Sequence, residues 1–327
     1  MHYRTLADTD LSVSVIAFGA WAAGGWMWGG ADRRAAIAAI RAAYEEGVTS
    51  IDTAPVYGQG ESEEIVGQAI RELPRDRVQI MTKFGLRWDQ VNGQFYFDSR
   101  NNRGQSIDIY KYAGPDSIIE EVEHSLRRLG TDYIDLYQIH WPDPTTPIQD
   151  TFEAVARLIE QGKVRYAGVC NYSKAQLQEA DQYVNIVSDQ VPFSMVKRDI
   201  EDELVPYTRT AGKAILAYSP LQRGLLTGKM QPGQAFSPGD HRATHPSFTD
   251  ESIRRTNAFL EAIRPLADAK GATLAQLVLK WTIERPGITV ALAGARNAEQ
   301  AVQNARAAAL SLSPAEIEHI NEALERW

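Results

Sequence analysis

Short apolar runs alternate with amphipathic segments along almost the whole chain. The runs are apolar on both faces and fall at residues 15–19, near Ser50, Gln79 and Ile134, and at 164–170, 186–190, 214–218 and 289–293. Strands that are buried on both faces and alternate with helices are typical of a parallel sheet. Eight such units in 327 residues predict an α/β fold with a single (β/α)8 TIM barrel.

The segments between the runs have helical spacing of their apolar residues. They predict helices at residues 33–46, 62–72, 117–129, 148–161, 174–181, 200–211, two between 252 and 284, and helices at 298–308 and 314–325. Asp32 is the expected N-cap of the first helix, and Gly47 its expected end. A turn at residues 7–10 joins two short extended segments, which predicts an N-terminal β-hairpin at Tyr3–Leu6 and Leu11–Val13.

No linker or change of composition divides the chain, so residues 1–327 are predicted to form one barrel domain. Two polar, glycine-containing insertions, at residues 84–115 and 222–250, follow the third and seventh barrel strands. Loops at those positions overhang the carboxyl rim of a barrel. A doubly wound open sheet is the competing fold. The ionisable residues that end successive strands favour the barrel, whose active sites lie at that rim.

Composition excludes several classes of partner and site. Hydrophobic residues make up 44% of the chain and charged residues 23%, as in an ordinary soluble protein. The net charge is −8 without a basic block, so neither nucleic acid nor a membrane surface is an expected partner. Cys170 is the only cysteine and the six histidines are scattered, so no disulfide and no metal site are expected. Without a signal-peptide pattern or a membrane-length apolar run, the expected location is cytoplasmic.

Three successive predicted strands end in ionisable residues: Asp52, Lys83 and His140. Tyr57 lies on the loop just after Asp52. A buried aspartate needs a cationic partner, and Lys83 is the obvious candidate. A neighbouring ammonium stabilises a phenolate, which predicts a Tyr57 pKa shifted from about 10 toward neutrality. With His140 orienting a carbonyl oxygen, this set suits proton donation to a carbonyl while a nicotinamide supplies hydride.

These residues lie in motifs that resemble those of the aldo-keto reductases. The motifs run from Asp52 to Tyr57, at Thr82–Lys83, and from Gln138 to Pro142, and the resemblance extends from Phe18–Trp21 to Gly294–Arg296. The chain is most similar to bacterial members related to general stress proteins and inositol-operon reductases. The resemblance implies a barrel that reduces aldehydes and ketones with NADPH. It also implies the roles of the catalytic set, which are Tyr57 as general acid, His140 as orienter and the Asp52–Lys83 pair behind Tyr57.

The resemblance further implies where NADP(H) binds. The expected cofactor residues contact the nicotinamide, the pyrophosphate and the adenosine 2′-phosphate in turn: Cys170, Asn171, Gln190, Tyr218, Ser219, Pro220, Leu221, Arg223, Gly224, Gly294, Arg296, Gln300 and Asn304. Relatives often carry Ser at position 170, and some carry Lys at position 294, so Arg296 must supply most of the positive charge. A 2′-phosphate at a helix start is favoured by the helix dipole and free N–H groups.

The expected substrate is a small-molecule carbonyl, an aldehyde, a ketone or a sugar, in a pocket lined by aromatic residues. Trp21 and Trp141 are candidate substrate contacts, and Trp26, Trp28, Trp88, Phe95 and Tyr96 are expected near the mouth. A Rossmann dehydrogenase is excluded because no glycine fingerprint follows the first strand. A short-chain reductase is excluded because no tyrosine has Lys four residues later. The remaining alternative is an NADP(H)-binding barrel that acts as a redox-sensing or regulatory subunit with little turnover. The sequence indicates no oligomeric state.

Overall fold

The computed structural model describes residues 1–327 and contains thirteen strands and ten α-helices. The strands are β1 Tyr3–Thr5, β2 Ser12–Ser14, β3 Ile16–Gly19, β4 Ser50–Asp52, β5 Gln79–Phe84, β6 Leu86–Arg87, β7 Gln94–Arg100, β8 Ser106–Lys111, β9 Ile134–Ile139, β10 Val164–Cys170, β11 Ile186–Pro192, β12 Ala214–Tyr218 and β13 Ile288–Gly294. The helices are α1 Arg33–Glu45, α2 Glu61–Ile70, α3 Pro115–Leu129, α4 Ile148–Glu160, α5 Lys174–Ala180, α6 Leu204–Thr210, α7 Asp250–Ala269, α8 Leu274–Glu284, α9 Ala298–Arg306 and α10 Pro314–Glu325. None of these helices is both long enough and apolar enough to cross a lipid bilayer.

Eight strands close into a parallel barrel in the order β3-β4-β5-β9-β10-β11-β12-β13, and β13 pairs with β3. The predicted (β/α)8 barrel is therefore confirmed. Its strands are buried on both faces because helices cover the outside and side chains fill the inside, and all six residues of β9 are buried. Parallel closure brings the carboxyl ends of all eight strands to one rim, which places Asp52, Lys83 and His140 together.

The helix boundaries follow the local capping chemistry. The Asp32 side chain accepts hydrogen bonds from the backbone N–H groups of Arg34 and Ala35, as expected for the N-cap of α1. Helix α6 is shorter than predicted and begins at Leu204 instead of residue 200. Pro206 explains the difference, because its ring clashes with the carbonyl of the residue four positions earlier in a helix.

The predicted N-terminal hairpin is present as the antiparallel pair β1 and β2. Its apolar residues Leu6, Leu11 and Val13 are almost completely buried and pack with barrel-interior residues such as Met81 and Leu136. The hairpin therefore closes the end of the barrel opposite the rim that carries the ionisable residues.

The insertion at residues 84–115 is more ordered than a polar loop. It forms a three-stranded antiparallel sheet in the order β6-β8-β7. The insertion at residues 222–250 contains short 3-10 turns, and Asp240 forms an isolated antiparallel bridge with Trp28. Both insertions contribute residues to the cavity at the carboxyl rim, as their positions after the third and seventh barrel strands predicted.

Candidate active site

The predicted catalytic residues meet at the carboxyl rim. Asp52 is the last residue of β4, Lys83 lies near the end of β5, and His140 directly follows β9. Tyr57 lies on the loop between β4 and α2. Residues that are 31 and 83 positions apart along the chain are thereby brought within contact distance.

Asp52 and Lys83 form a buried ion pair with additional hydrogen bonds. The Lys83 ammonium donates to Asp52 Oδ1 at 2.6 Å and to the Thr53 carbonyl at 2.9 Å. The other carboxylate oxygen accepts from Gln190 Nε2 at 2.7 Å and from Gln138 Nε2 at 3.4 Å. Burial lowers the pKa of Lys83, but Asp52 and Tyr57 raise it more, so the pKa lies above its ordinary value. Lys83 therefore remains an ammonium at neutral pH.

The pKa of Tyr57 is where the sequence-based expectation was wrong. Burial raises the pKa of Tyr57 to about 12. The Lys83 Nζ lies 5.0 Å from the centroid of the tyrosine ring, and its charge lowers the pKa of Tyr57 by less than burial raises it. The Asp52 charge raises the pKa and so opposes the effect of Lys83. The phenol is therefore fully protonated at neutral pH, which is the state that a proton donor requires.

His140 lies beside the phenol. Its Nε2 is 3.5 Å from the Tyr57 hydroxyl, and the two rings meet edge to face with centroids 5.5 Å apart. Burial and the Lys83 charge lower the pKa of His140 well below its ordinary value. The imidazole is therefore neutral at physiological pH. A neutral imidazole can hydrogen-bond a substrate oxygen without competing with Tyr57 for the role of acid.

A cavity of about 520 Å³ opens above these residues and continues as a groove along the rim. Of the predicted site residues, only Lys83 does not line the cavity, because it lies fully buried beneath Tyr57 and Asp52. The aromatic side chains of Trp21 and Trp141, the candidate substrate contacts, both line it. The structure thus brings the predicted residues together around one continuous space.

The polar groups expected to hold a nicotinamide lie next to the catalytic set. Asn171 has a positive φ of 59°, and its side chain accepts from the Tyr218 hydroxyl and donates to the His140 carbonyl. The amide nitrogen of Gln190 donates to Asp52 and Gln138, which leaves Gln190 Oε1 available to accept from a ligand. Gln190 therefore contacts the Asp52 carboxylate as well as the expected cofactor site.

The loop after β12 turns its backbone sharply toward the groove. Ser219, Gln222 and Arg223 all have positive φ values although none is glycine. Such conformations are costly for residues with side chains and concentrate at functional sites. Arg223 forms no ion pair, and burial lowers its pKa. An unpaired, partly buried guanidinium beside strained backbone is suited to bind a phosphate group.

The far end of the groove lies at the start of α9. Asn297 caps this helix by accepting from the Gln300 N–H, and the Gln300 side chain accepts from the Arg296 N–H. Asn304 donates to the Gly294 carbonyl and so holds the end of β13 against the helix. The Arg296 guanidinium is exposed, and one of its N–H groups donates a hydrogen bond to the Gly30 carbonyl at 3.1 Å.

The aromatic residues that line the cavity differ in part from those predicted to lie near its mouth. Trp26, Trp28 and Tyr96 line the cavity as expected, but Trp88 and Phe95 do not, and Phe97 lies there instead. The register of β7 against β8 shifts between Phe95 and Phe97, which indicates a bulge at Tyr96. The bulge interrupts the alternation of faces, so Tyr96 and Phe97 both reach the cavity while Phe95 is 52% exposed.

The loop at residues 222–250 contributes to the cavity lining and packs on the loop after β3. His241 stacks on Trp21 with ring centroids 5.0 Å apart, and its backbone N–H donates to the Met27 carbonyl. Arg242 pairs with Asp240 and lies 4.9 Å from the Trp28 ring. The indole N–H groups of Trp21 and Trp28 are buried without an acceptor. Residues 240–242 were not among the predicted site residues, because no local sequence pattern indicates a contact across more than 200 residues.

The donors along the groove fit a nicotinamide dinucleotide. The amide groups of Asn171 and Gln190, the unpaired Arg223 guanidinium and Arg296 at the start of α9 all line this one cavity. No cluster of three or more His, Cys, Asp or Glu side chains is arranged to hold a metal ion.

Known proteins similar to this chain show its family. The model of the aldo/keto reductase family matches residues 15–325. The aldo-keto reductase YhdN of Bacillus subtilis is 38% identical over 99% of this chain and 94% of its own. The NADH-specific methylglyoxal reductase of Escherichia coli is 37% identical over 98% of each chain.

Two solved structures have the same fold over nearly the whole chain. The glycerol dehydrogenase AKR11B4 from Gluconobacter oxydans has a TM-score of 0.88 and 35% identity, covering 99% of this chain and 95% of its own. An aldo/keto reductase from Klebsiella pneumoniae, in complex with NADP and acetate, has a TM-score of 0.69 and 31% identity, covering 95% of this chain and 91% of its own.

Proposed function

The chain belongs to the aldo/keto reductase family, and we propose that it reduces aldehydes and ketones to alcohols with NADPH, with Tyr57 as general acid. The observation that carries the proposal is the convergence of the Tyr57 phenol, the Lys83–Asp52 pair and the neutral His140 beside a cavity whose lining extends to Arg296 at the start of α9. This convergence supplies a proton donor, a charge that stabilises the donor after proton loss, and a group that orients the substrate oxygen.

The proton step follows from the charges around the phenol. The carbonyl oxygen of a substrate would accept hydrogen bonds from the Tyr57 hydroxyl and from His140 Nε2. A nicotinamide held by the groove residues would supply the hydride. Tyr57 then gives its proton to the oxygen as negative charge develops there. The Lys83 ammonium stabilises the phenolate that remains, and Asp52 keeps Lys83 charged and aimed at the ring.

The cofactor is held by the groove residues described above. In this proposal Asn171 and Gln190 Oε1 bind the carboxamide, and Cys170 and Tyr218 line the nicotinamide site. Ser219, Pro220, Leu221, Arg223 and Gly224 surround the pyrophosphate, and Gly294, Arg296, Gln300 and Asn304 surround the adenosine. Preference for NADPH rests on Arg296, since guanidinium groups bind phosphate oxygens well. The Escherichia coli relative is named NADH-specific and the Klebsiella structure contains NADP, so preference varies within the family.

The substrate class follows from the walls of the cavity. Trp21, Trp26, Tyr96, Phe97 and Trp141 form an aromatic surface above Tyr57 and His140. Aromatic walls with a few polar groups suit small carbonyl compounds held by apolar contact. The relatives named for methylglyoxal and glycerol act on compounds of this size.

Turnover tests the proposal directly. The purified protein is mixed with NADPH and a panel of methylglyoxal, glyceraldehyde and benzaldehyde, and NADPH oxidation is followed by absorbance. We expect reduction of at least one carbonyl, lost in the Tyr57→Phe variant. Tight NADPH binding without reduction of any compound would overturn the proposal and favour the alternative of a redox-sensing or regulatory NADP(H)-binding barrel.

A further inference from the structure

The bulge in strand β7 brings the phenol of Tyr96 into the lining of the cavity. Tyr96 packs against the same buried apolar cluster as the proposed acid Tyr57. This cluster includes Val56 and Leu86, which line the cavity as well. The two phenols therefore belong to walls of the same part of the cavity. Bulges often redirect a side chain beside an active site.

The ring of Tyr96 is held in place by its neighbours. Its centroid lies 5.5 Å from that of Trp141 and 4.9 Å from that of Phe97, whose ring it meets at 74°. The Lys111 ammonium lies 4.3 Å from the centroid of the same ring, within cation–π distance. Packing therefore sets the position of the Tyr96 hydroxyl, and no hydrogen bond is needed to hold it.

The hydroxyl of Tyr96 is free to bind another molecule. Burial alone raises the pKa of Tyr96, with no contribution from a hydrogen bond, and the oxygen is not among the polar atoms sealed inside the protein without a partner. Burial also raises the pKa of Tyr218, and Tyr96 is among the groups that raise it further. Since the Tyr218 hydroxyl donates to Asn171, the Tyr96 phenol lies near the expected nicotinamide site.

The other polar groups of the surrounding aromatic wall have less to offer a substrate. The indole N–H of Trp26 already donates to Ser99 Oγ at 3.2 Å and to the Arg100 carbonyl at 3.1 Å. The indole N–H of Trp141 can donate but cannot accept, whereas a phenol hydroxyl does both. Tyr96 is therefore the group of this wall that matches a substrate hydroxyl in both directions.

We propose that the Tyr96 hydroxyl hydrogen-bonds a hydroxyl group of the substrate, so that the site favours hydroxylated carbonyl compounds over alkyl compounds of the same shape. The inference rests on the proposed reductase function and names the substrate class for it. An alkyl analogue would cover the phenol oxygen without satisfying it, and a polar group left unpaired in a bound complex penalises that analogue.

The test compares substrates that differ only in a hydroxyl group. The values of kcat/KM with NADPH are measured for 3-(hydroxymethyl)benzaldehyde and 3-ethylbenzaldehyde, and for the same pair substituted at position 4. The proteins are wild type, Tyr96→Phe and Tyr110→Phe. Tyr110 is the matched control, because it lies on the next strand of the same sheet, 5.8 Å from Phe95 between ring centroids, but does not line the cavity. The ratio within a pair cancels any loss of active protein.

We expect the hydroxymethyl-to-ethyl ratio of at least one pair to fall by about threefold to tenfold in Tyr96→Phe, which is the usual effect of one uncharged hydrogen bond. The change should be mainly in KM, and Tyr110→Phe should keep the wild-type ratios. Unchanged ratios in Tyr96→Phe, with the ethyl compounds still reduced, would overturn this inference and leave the reductase function intact. An equal fall in Tyr110→Phe would overturn it too, since the ratio would then respond to the sheet and not to the cavity wall. Failure of the wild type to reduce any of the four aldehydes would overturn both proposals.

Discussion

The Lys83 ammonium lies 2.6 Å from Asp52 Oδ1, and the two side chains are only 0% and 4% exposed. Two charges so deeply buried are costly to desolvate, and each is tolerated only because the other is present. The pair also sets the charge beneath Tyr57. In the proposed mechanism, stability and catalysis therefore both depend on this contact.

Replacing Lys83 by Met should damage both properties. It leaves the Asp52 carboxylate buried without its cation, which costs about 3–5 kcal/mol of unfolding free energy. It also removes the charge that stabilises the phenolate and should lower kcat by at least about 100-fold. Adding Asp52→Asn should restore part of the stability but none of the activity. Urea unfolding and steady-state kinetics measure the two effects. A double variant no more stable than Lys83→Met would contradict the pairing argument.

Tyr57→Phe should abolish proton donation while leaving the groove intact. We expect kcat to fall by about 10²–10⁴-fold, the usual contribution of a general acid. The dissociation constant for NADPH, measured by quenching of tryptophan fluorescence, should change by less than about threefold. The corresponding binding free energy would change by well under about 1.4 kcal/mol, which is the value for a tenfold change. Near-wild-type turnover in this variant would refute the assignment of the acid.

The pH profile should show that Tyr57 remains protonated across the physiological range. Its pKa is raised to about 12 by burial, and reduction requires the protonated phenol. The pKa of His140 is lowered by burial and by Lys83, so the imidazole is neutral above its ordinary titration range. The kcat/KM for reduction should therefore be flat from about pH 6 to about pH 9. A decline with a midpoint near neutrality, absent from Tyr57→Phe, would show that Lys83 outweighs burial after all.

Arg296→Ala tests the cofactor preference. The guanidinium is exposed at the start of α9 and makes a single hydrogen bond, to the Gly30 carbonyl. Loss of a charge-assisted phosphate contact should raise the KM for NADPH about tenfold and change the KM for NADH much less. Arg306→Ala, at the opposite end of α9 and paired with Glu46, is the matched control. Equal effects of Arg296→Ala on both cofactors would mean that Arg296 does not contact the 2′-phosphate.

Several features of the fold were predictable from local patterns. Alternation of apolar runs with amphipathic segments predicted the barrel, since each run must be buried on both faces. Asp32 and the turn between Leu6 and Leu11 predicted a helix start and a hairpin that the structure contains. The placement of Asp52, Lys83 and His140 at strand ends followed as well, because parallel strands in a barrel end at the same rim.

The inserted segments were not predictable in the same way. The bulge at Tyr96 that brings Phe97 to the cavity depends on the register between two strands, which the composition of β7 does not determine. The contact of His241 with Trp21 and Met27 joins residues that are distant in the chain. Such contacts depend on how loops that are distant in the sequence pack against each other in the folded barrel.

The sequence by itself determined the order of the elements, their periodicity and the identity of the ionisable groups at the rim. Only the tertiary structure decided their protonation states, because desolvation depends on everything packed around a group. The sequence motifs indicated a cation beside Tyr57 and hence a lowered pKa, while the folded chain buries the phenol deeply enough to raise the pKa. In the proposed mechanism Tyr57 therefore acts as a protonated acid, and the Lys83 ammonium stabilises its conjugate base when that forms.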